Sequence, residues 1–408
     1  MKVLFYNHTG IVSGAERVLS MILNGIDRQR YEPVVVCPPG SDMMELANNA
    51  GVRTRGLETL HARFTWRLDR VAQYLFSFSC VIRNARRVVV DESPAFIHAN
   101  SIRAGLVMAA ATIGLKVPVI WHAHDILPRH PLSSCVRLFS ALTSRNHILA
   151  VSRAVANRFR GTLLRPFAHR VPITVIHNSV DLDRFYPEPG ARAKARSALQ
   201  IENDHLAVGI VGQLTRRKGQ LELIEAFAEV ARDVPNAVLL IVGSALFNRD
   251  EDYADDLVRR ANELGVSDKI RFLGSRADVP DLIRAFDVMV VNSHEEPFGL
   301  SVLEGLASGK AMLATAVGGN PEMITHGFNG YLVEKENQHA LASALLTLLL
   351  DRSLRQRLGA AATHDAQQRF SIPRFINEVS SLYRAVSNSG EIPIQSSISG
   401  LEVKLSAD

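Results

Sequence analysis

One stretch decides the fold: residues 288–304 read VMVVNSHEEPFGLSVLE. Its first four residues form an uninterrupted apolar run, which is typical of a strand buried on both faces of a parallel sheet. A polar loop follows, and after Gly299 the apolar residues recur at helical spacing. The stretch therefore predicts a strand, a loop and a helix in that order, which is the repeating unit of an α/β fold.

The same alternation runs through most of the chain. Apolar runs of strand length lie at residues 3–6, 34–37, 96–98, 118–121, 148–151 and 173–176, and then at 206–211, 237–242, 270–273 and 312–315. Amphipathic helical segments separate them, so each group of runs predicts a doubly wound parallel sheet covered by helices on both faces. Between the groups, residues 185–190 read FYPEPG, and the two prolines and the glycine predict a hinge.

These patterns predict two Rossmann-like domains that face a cleft. The first domain covers residues 1–186 and the second covers residues 187–372. A last helical pattern, at residues 373–386, is predicted to pack back on the first domain. Residues 387–408 are rich in serine and lack a clear period, which predicts a flexible tail.

Composition narrows the class of protein. With 408 residues, 47% hydrophobic and 21% charged, the chain is too long for one ordinary domain and too apolar to be mainly disordered. Three widely separated cysteines exclude a disulfide scaffold and a zinc ribbon, and they fit a reducing cytosol. No apolar run reaches the roughly 18 residues that a transmembrane helix needs. We therefore expect a cytoplasmic protein.

Charge is distributed unevenly between the two halves. Residues 1–190 carry 23 Lys and Arg against 13 Asp and Glu, whereas residues 191–408 carry 23 against 28. A basic half suggests an anionic partner. Residues 66–90 mix aromatic side chains with arginine, as in helices that lie on anionic membranes, although an ordinary helix with one buried face is the favoured interpretation. Peripheral contact with an anionic membrane stays open as a prediction, and no nucleic-acid partner is expected.

Three familiar motifs fail on inspection. Residues 10–14 read GIVSG, which is not a dinucleotide-binding fingerprint, and residues 305–311 read GLASGKA, one residue short of a phosphate-binding loop. Asp181 and Asp183 have the spacing of a metal–diphosphate bridge, but they adjoin the hinge. We interpret Asp181 as a residue that binds amides of its own turn.

The strongest chemical signal lies in residues 294–304. A helix that begins after Gly299 directs free backbone amides into the cleft, which creates an anion site, and the glycine lets a ligand approach closely. Glu296 precedes this helix, whereas Glu304 lies about 7.5 Å beyond Gly299 along its axis at 1.5 Å per residue. One carboxylate is therefore near the anion, and the other lies a diphosphate's length away, where it can bind the vicinal hydroxyls of a ribose. Two unrelated surface glutamates fit this spacing poorly.

A basic loop follows the first strand of the second domain. Gly212 permits a tight turn beneath a ligand, and Lys218 can pair with phosphate oxygens at the carboxyl ends of the strands. Taken alone, this loop is more simply a solvated basic surface.

Several motifs, taken in order along the chain, resemble the retaining glycosyltransferases of family 4, which have the GT-B architecture. They are residues 13–16 (SGAE), 124–125 (HD), 151–152 (VS), 178–181 (NSVD), Phe185, 212–219, Glu296 with Glu304, 318–322 (GGNPE) and 327–330 (GFNG). The resemblance extends over about residues 1–386, and the two glutamates are its most specific part.

The resemblance implies transfer of a hexose or N-acetylhexosamine from a nucleotide-sugar donor to a glycan or lipid-linked acceptor, in the synthesis of a cell-surface polysaccharide or glycolipid. It places the donor in the second domain and the acceptor in the first. Neither a metal nor another cofactor is expected, since a lysine and a helix N-terminus can neutralise the leaving diphosphate. The implied catalytic residues are His124, Glu296 and Lys218. The implied donor-binding residues are Gly14, Gly212, Gln213, Lys218, Glu296, Phe298, Gly299, Leu300 and Glu304.

By resemblance, Lys218 pairs with the diphosphate, Glu304 binds the ribose and Glu296 binds the donor sugar. His124 faces the anomeric carbon. Because this carbon becomes cation-like, we expect a neutral imidazole there. His122 is expected to point to the opposite face of its strand and to be structural.

Three positions depart from the family's pattern. Gln213 stands where arginine is usual, and Ser13 and Ser179 stand where glycine is usual. Gln213 removes one positive charge from the diphosphate site unless Arg216 or Arg217 replaces it. We therefore expect weaker donor binding rather than a different reaction.

Two other classes of function stay open at the level of sequence. One is a nucleotide-sugar epimerase with the same two-domain architecture. The other is a non-catalytic partner that binds a sugar nucleotide, which Gln213 favours.

Overall fold

The computed structural model describes residues 1–58, 68–141, 145–160, 171–245 and 251–388. Side chains are described except at residues 68–76, 131, 132 and 251. Most of the tail predicted for residues 387–408, and the first part of the basic segment 66–90, lie outside this description.

Two parallel sheets form the centre of the molecule. The first sheet has the order β3-β2-β1-β4-β5-β6-β7, and the second has the order β10-β9-β8-β11-β12-β13. The first contains β1 (Lys2–Tyr6), β2 (Glu32–Cys37), β3 (Arg53–Gly56), β4 (Phe96–Ala99), β5 (Val119–Ala123), β6 (Asn146–Ala150) and β7 (Ile173–Val175). The second contains β8 (Leu206–Val211), β9 (Ala237–Val242), β10 (Ile270–Gly274), β11 (Val288–Val291), β12 (Ala311–Thr315) and β13 (Tyr331–Val333).

Helices connect the strands and cover both sheets. Those of the first half are α1 (Gly14–Gly25), α2 (Asp42–Asn49), α3 (Leu68–Glu92), α4 (Ile102–Ala111), α5 (Pro131–Ala141) and α6 (Arg153–Arg160). Those that follow are α7 (Ala191–Ala198), α8 (Gln220–Asp233), α9 (Glu251–Glu263), α10 (Val279–Ala285), α11 (Leu300–Ala307), α12 (Asn320–Met323), α13 (Gln338–Leu350), α14 (Arg352–Arg369) and α15 (Ile372–Asn388).

The strands form where the sequence is continuously apolar. Every residue of β9 and β11 is buried, because helices shield both faces of the sheet. Each sheet has its own apolar core, and a further core cluster extends across both halves. The predicted fold class, two Rossmann-like doubly wound domains in the GT-B arrangement, is confirmed.

The topology fixes where a ligand can bind. In each sheet the strand order reverses beside the first strand, between β1 and β4 and between β8 and β11. Ligands of such sheets bind outside the carboxyl ends of the strands at this point. Ser13, Lys218 and Glu296 lie on loops that begin there, and His124 follows the next strand of the first sheet, β5.

The last helix returns to the first half. On α15, Ile376 packs against Gly25 of α1, where an added Cβ would lie 2.6 Å from its Cγ1 atom. Further along α15, the buried Tyr383 hydroxyl lies 2.7 Å from Nδ1 of His98 on β4. Helix α15 thus packs on the domain that contains β1, and the second domain is connected to the first at both of its ends.

Candidate active site

A short turn after β8 places a buried ammonium group beside a carboxylate. Residues Arg216–Lys218 form one turn of 3₁₀ helix, which is capped by Thr215 at its start and by Gly219 at its end. This turn directs Lys218 Nζ to within 2.6 Å of Glu296 Oε2. The two side chains are 17% and 6% exposed, so the ion pair is largely shielded from water.

Glu296 is held from several directions. The Ser293 hydroxyl donates to its carboxylate at 2.8 Å, and its backbone carbonyl accepts from the Gly319 amide at 2.8 Å. A Cβ atom on Gly299 would lie 3.1 Å from the Glu296 carboxyl carbon. Any larger residue at position 299 would therefore press on this carboxylate, which gives the predicted close approach at Gly299 a physical basis.

Two helices begin opposite one another across the gap between the domains. Helix α11 begins at Leu300, after the loop that carries Phe298 and Gly299, and α1 begins at Gly14. A Cβ atom on Gly14 would lie only 3.7 Å from a methyl carbon of Leu300. Two positive helix ends therefore converge on one place, which favours an anion there.

Ser13 closes the first turn of α1. Its amide and its hydroxyl both donate to the Glu16 carboxylate, at 2.9 and 2.6 Å. This capping box keeps the serine side chain directed at its own helix.

Glu304 lines a cavity between the domains. The cavity has a volume of about 580 Å³, and both halves contribute to its wall, including Arg17, Asn24, Arg184, Arg276 and Glu304. The Glu304 carboxylate is 10% exposed and lies 3.9 Å from the Arg17 guanidinium. Burial raises its pKa, and the positive charges of Arg17 and Arg184 oppose this shift. A polar ligand that donates hydrogen bonds fits such a carboxylate.

Arg216 and Arg217 differ in whether they can replace the charge missing at Gln213. Arg216 is held away from the cleft, since it pairs with Asp256 at 2.6 Å and lies over the Tyr253 ring. Arg217 donates to the Glu295 carbonyl at 3.1 Å. Burial raises the pKa of Asp125 in the first domain, and Arg217 opposes this shift from the second domain.

Gln213 and Gly212 are fixed mainly through their backbones. The Gln213 carbonyl accepts from the Gln220 side chain at 2.9 Å, and the Gly212 amide donates to the Val242 carbonyl at 2.9 Å. These bonds hold the loop against β9 and thereby position the turn that carries Lys218.

His124 lies just after β5, at the carboxyl edge of the first sheet. Its Nε2 atom is 3.2 Å from Asn100 Oδ1, and burial lowers its pKa to about 3, so the ring is neutral at pH 7. The expectation that His122 points to the opposite face is wrong, since the His122 and His124 rings lie 3.9 Å apart. Residues two apart on an extended chain share a face of the sheet.

Sequence reasoning assigned no role to Glu322, which joins the two domains. Its carboxylate accepts from the amides of Arg153 and Ala154, at 2.9 and 3.0 Å, and lies 2.9 Å from His177 Nε2. Arg153 begins α6 of the first half, so an acid from the second domain caps a helix of the first. The only available signal was its place in the GGNPE motif.

Asp181 and Lys310, which belong to two of the rejected motifs, both make structural contacts. Asp181 accepts from the Asp183 amide at 3.0 Å, which confirms its role in its own turn. Lys310, from the rejected phosphate-loop motif, is partly buried and donates to the carbonyls of Arg284 and Phe286, at 2.9 and 3.1 Å. It therefore ties a helix end to a loop.

No helix in the described part of the chain is both long and apolar enough to cross a membrane. Within the same residues, no group of three or more His, Cys, Asp or Glu side chains could hold a metal ion.

Family models match both halves of the chain. Residues 12–184 match the model described as Glycosyltransferase Family 4, and residues 191–365 match the model described as Glycosyl transferases group 1. The division between the two matches falls within the proline-rich segment 185–190 and its surroundings.

Curated proteins and solved structures show the same likeness. The chain is 26% identical to the lipopolysaccharide core biosynthesis glycosyltransferase LpsD of Rhizobium meliloti, over 91% of this chain and 94% of that protein. It is 36% identical to the D-inositol 3-phosphate glycosyltransferase of Mycolicibacterium smegmatis, over 49% of this chain and 45% of the relative, so it matches about half of that protein's length. The crystal structure of Anabaena Alr3699/HepE in complex with UDP and glucose superposes with a TM-score of 0.78 at 27% identity, covering 94% of this chain and 100% of that one.

The two-domain fold, the cleft between the domains and the matches to known families and structures identify this chain as a glycosyltransferase of the GT-B type. Within that class, the chain belongs to glycosyltransferase family 4.

Proposed function

We propose that this protein transfers a hexose or N-acetylhexosamine, with retention of anomeric configuration, from a nucleotide-diphosphate-sugar to a glycan or lipid-linked acceptor. The donor lies against the second domain and the acceptor against the first. The reaction belongs to cell-surface polysaccharide or glycolipid synthesis and proceeds without a metal or other cofactor.

One observation carries this proposal. The shielded Lys218 ammonium lies 2.6 Å from Glu296 at the start of α11, and across the gap the N-terminus of α1 approaches Leu300. A cation and two helix ends thus converge where a leaving diphosphate needs neutralisation. Glu304 lines the cavity between the domains, where its carboxylate supplies an acceptor for the hydroxyls of a ribose.

The mechanism follows from the charges that develop. Breaking the bond between the anomeric carbon and the diphosphate leaves negative charge on the phosphate oxygens, which Lys218 and the amides of Phe298, Gly299 and Leu300 stabilise. The sugar becomes cation-like, and Glu296, beside it, binds a sugar hydroxyl. The acceptor hydroxyl oxygen forms the new bond to the anomeric carbon, and its proton passes to an oxygen of the departing diphosphate. The neutral His124 adds no positive charge to this carbon.

Relatives support the class of donor and the setting. HepE has been crystallised with UDP and glucose and with UDP-glucose, and LpsD is named for lipopolysaccharide core biosynthesis. We infer a uridine-type donor from the first and a surface-glycan role from the second. The basic first half, with 23 Lys and Arg against 13 Asp and Glu in residues 1–190, favours an anionic acceptor or an anionic membrane.

Substitution of two of the proposed donor-binding residues, Glu304 and Lys218, tests the proposal. With UDP-glucose as donor, Glu304→Ala is expected to lower kcat/KM by about 10- to 100-fold, since one or two hydrogen bonds to a charged group are lost. Lys218→Met removes the charge but keeps the apolar stem, and we expect a loss of about 100-fold or more, mainly in kcat.

Glu295→Ala is the matched control. Glu295 is exposed beside Glu296, and among the described residues only its backbone carbonyl makes a hydrogen bond. Release of UDP, with and without added glycan acceptors, measures turnover, and thermal unfolding verifies that each variant is folded. Unchanged turnover in both folded variants, or an effect of Glu295→Ala as large as theirs, would contradict the assignment.

A further inference from the structure

Three side chains at the ends of neighbouring strands of the first sheet are linked by hydrogen bonds. Asn7 follows β1, Asn100 follows β4 and His124 follows β5, and these strands are neighbours in the sheet. Asn7 and Asn100 are buried, with 0% and 1% exposure. Their hydrogen bonds determine which nitrogen of His124 carries the proton.

The orientation of the Asn7 amide is fixed by a backbone carbonyl. One end of this amide lies 2.7 Å from the Thr9 carbonyl oxygen. A carbonyl only accepts hydrogen bonds, so this end must be the amino group. The other end, Oδ1, is therefore an acceptor, and it faces Asn100 at 3.0 Å.

Asn100 is fixed in the same way. One end of its amide lies 3.0 Å from Asn7 Oδ1 and 3.3 Å from the Ala15 carbonyl in the first turn of α1. Both neighbours accept, so this end is the amino group, which uses its two hydrogens. The remaining atom, Oδ1, lies 3.2 Å from His124 Nε2.

His124 must therefore donate from Nε2, because Asn100 Oδ1 has no hydrogen to give. In the neutral ring Nδ1 then has a free lone pair. Nδ1 makes no hydrogen bond with the described residues, and His124 is only partly buried, whereas Nε2 of the adjacent His122 is buried with no partner among those residues. The lone pair of His124 is thus the accessible one.

We propose that Asn7 and Asn100 are positioning residues that hold His124 as its Nε2–H tautomer, so that Nδ1 accepts a hydrogen bond from a hydroxyl of the donor sugar. This inference rests on the proposed function for the identity of that hydroxyl. It assigns His124 the role of an acceptor, and not of a proton donor to the leaving diphosphate. It also links the start of α1 to the histidine, through the Ala15 carbonyl.

The tautomer is measured directly by long-range ¹H–¹⁵N correlation of the full-length chain labelled at histidine. His124→Gln identifies the signal among the 14 histidines. We expect a protonated Nε2 and a pyridine-type Nδ1 for His124 at pH 7. A protonated Nδ1, or a ring protonated at both nitrogens, would overturn the inference. The spectrum requires neither a bound sugar donor nor enzymatic activity.

A kinetic test separates positioning from folding. Asn100→Leu removes the acceptor of the Nε2 hydrogen, and Asn146→Leu removes another buried amide of the same sheet, which bonds Trp121 and the Ser140 carbonyl instead. With UDP-glucose, Asn100→Leu is expected to lower kcat about tenfold with little change in KM, and to give mixed His124 tautomers. Asn146→Leu should leave both unchanged.

The outcomes distinguish the two proposals. An Nε2–H tautomer in an inactive wild-type protein would count against the proposed function but keep the positioning role. An active wild-type protein whose kcat and His124 tautomer are insensitive to Asn100→Leu would refute the positioning role and leave the transferase intact. If Asn100→Leu does not fold, the wild-type tautomer still decides.

Discussion

At the scale of single residues, Gly219 fixes the position of Lys218. Its φ of +66° lies in the left-handed region, and a Cβ atom there would lie 2.0 Å from the Asn292 carbonyl oxygen. The Asn292 side chain donates to the Gly219 carbonyl at 3.0 Å, and the His294 amide donates to the Arg217 carbonyl at 2.8 Å. The turn before α8 is thus docked on the loop that leads to Glu296.

Gly219→Ala should therefore damage both stability and the site. Gly265 offers a matched control, because its φ is +67° and nothing lies within 4 Å of its added Cβ. We expect Gly265→Ala to cost about 1 kcal/mol of unfolding free energy from backbone strain alone, and Gly219→Ala at least about 2 kcal/mol more because of the clash. Urea unfolding measures this difference.

UDP titration completes the comparison of the two glycine variants. Displacement of Lys218 should weaken UDP binding about tenfold in Gly219→Ala and leave it unchanged in Gly265→Ala. Equal stability losses and equal UDP affinities in the two variants would show that the contact with Asn292 does not position the lysine.

At the scale of elements, sequence reasoning recovered the central strands and missed two edge strands. β3 (RTRG) and β13 (YLV) are each paired on one side only, so neither needs the long apolar run that marks a buried strand. β3 is partly exposed throughout and half arginine. Its identity as a strand depends on pairing with β2, which composition does not reveal.

The C-terminal helix shows how an element far away in sequence reaches the interior of the first domain. On α15, the Tyr383 hydroxyl lies 2.7 Å from His98 Nδ1, and His98 Nε2 lies 3.1 Å from His122 Nδ1. All three side chains are fully buried. If one of these hydrogen bonds is lost, water cannot replace it.

Tyr383→Phe should therefore cost about 1 to 2 kcal/mol of unfolding free energy, since it leaves His98 Nδ1 buried without a partner. Tyr31 is the matched control: it packs edge-on against Tyr383, and its own hydroxyl is buried with no hydrogen-bond partner in the described part of the chain. Tyr31→Phe should change the free energy by less than about 0.5 kcal/mol or stabilise the protein. Chemical denaturation compares the two, and equal losses would mean that the bond to His98 contributes nothing.

At the scale of the whole molecule, sequence could predict the pairing within a domain better than contacts between domains. Lys218 and Glu296 follow the neighbouring strands β8 and β11, so parallel topology alone brings them to one edge. Contacts such as those of Glu322 depend on how two separate sheets are oriented. No periodicity or spacing within one chain segment encodes that orientation.

Glu322 forms a polar link between the domains at this edge. Burial acts to raise its pKa, but hydrogen bonds from His177 and from the amides of Arg153 and Ala154 hold the pKa below its usual range. The ring of His177 also stacks on Phe298 of the loop that precedes α11, with centroids 4.9 Å apart. The contact between the domains and the position of this loop are therefore linked through one carboxylate.

Because its pKa is lowered in the folded state, the Glu322 carboxylate stabilises the closed arrangement above the unfolded-state pKa of about 4.3, and this contribution is lost as the pH falls through the lower folded value. Glu322→Gln should therefore open the domains at pH 7, seen as a larger radius of gyration in small-angle X-ray scattering. The difference from wild type should shrink below about pH 4. Glu334→Gln, at an exposed position of the same domain, should scatter like wild type. A Glu322→Gln protein as compact as wild type at pH 7 would show that other contacts, such as the bond from the Val180 amide to the Phe370 carbonyl, suffice to hold the domains together.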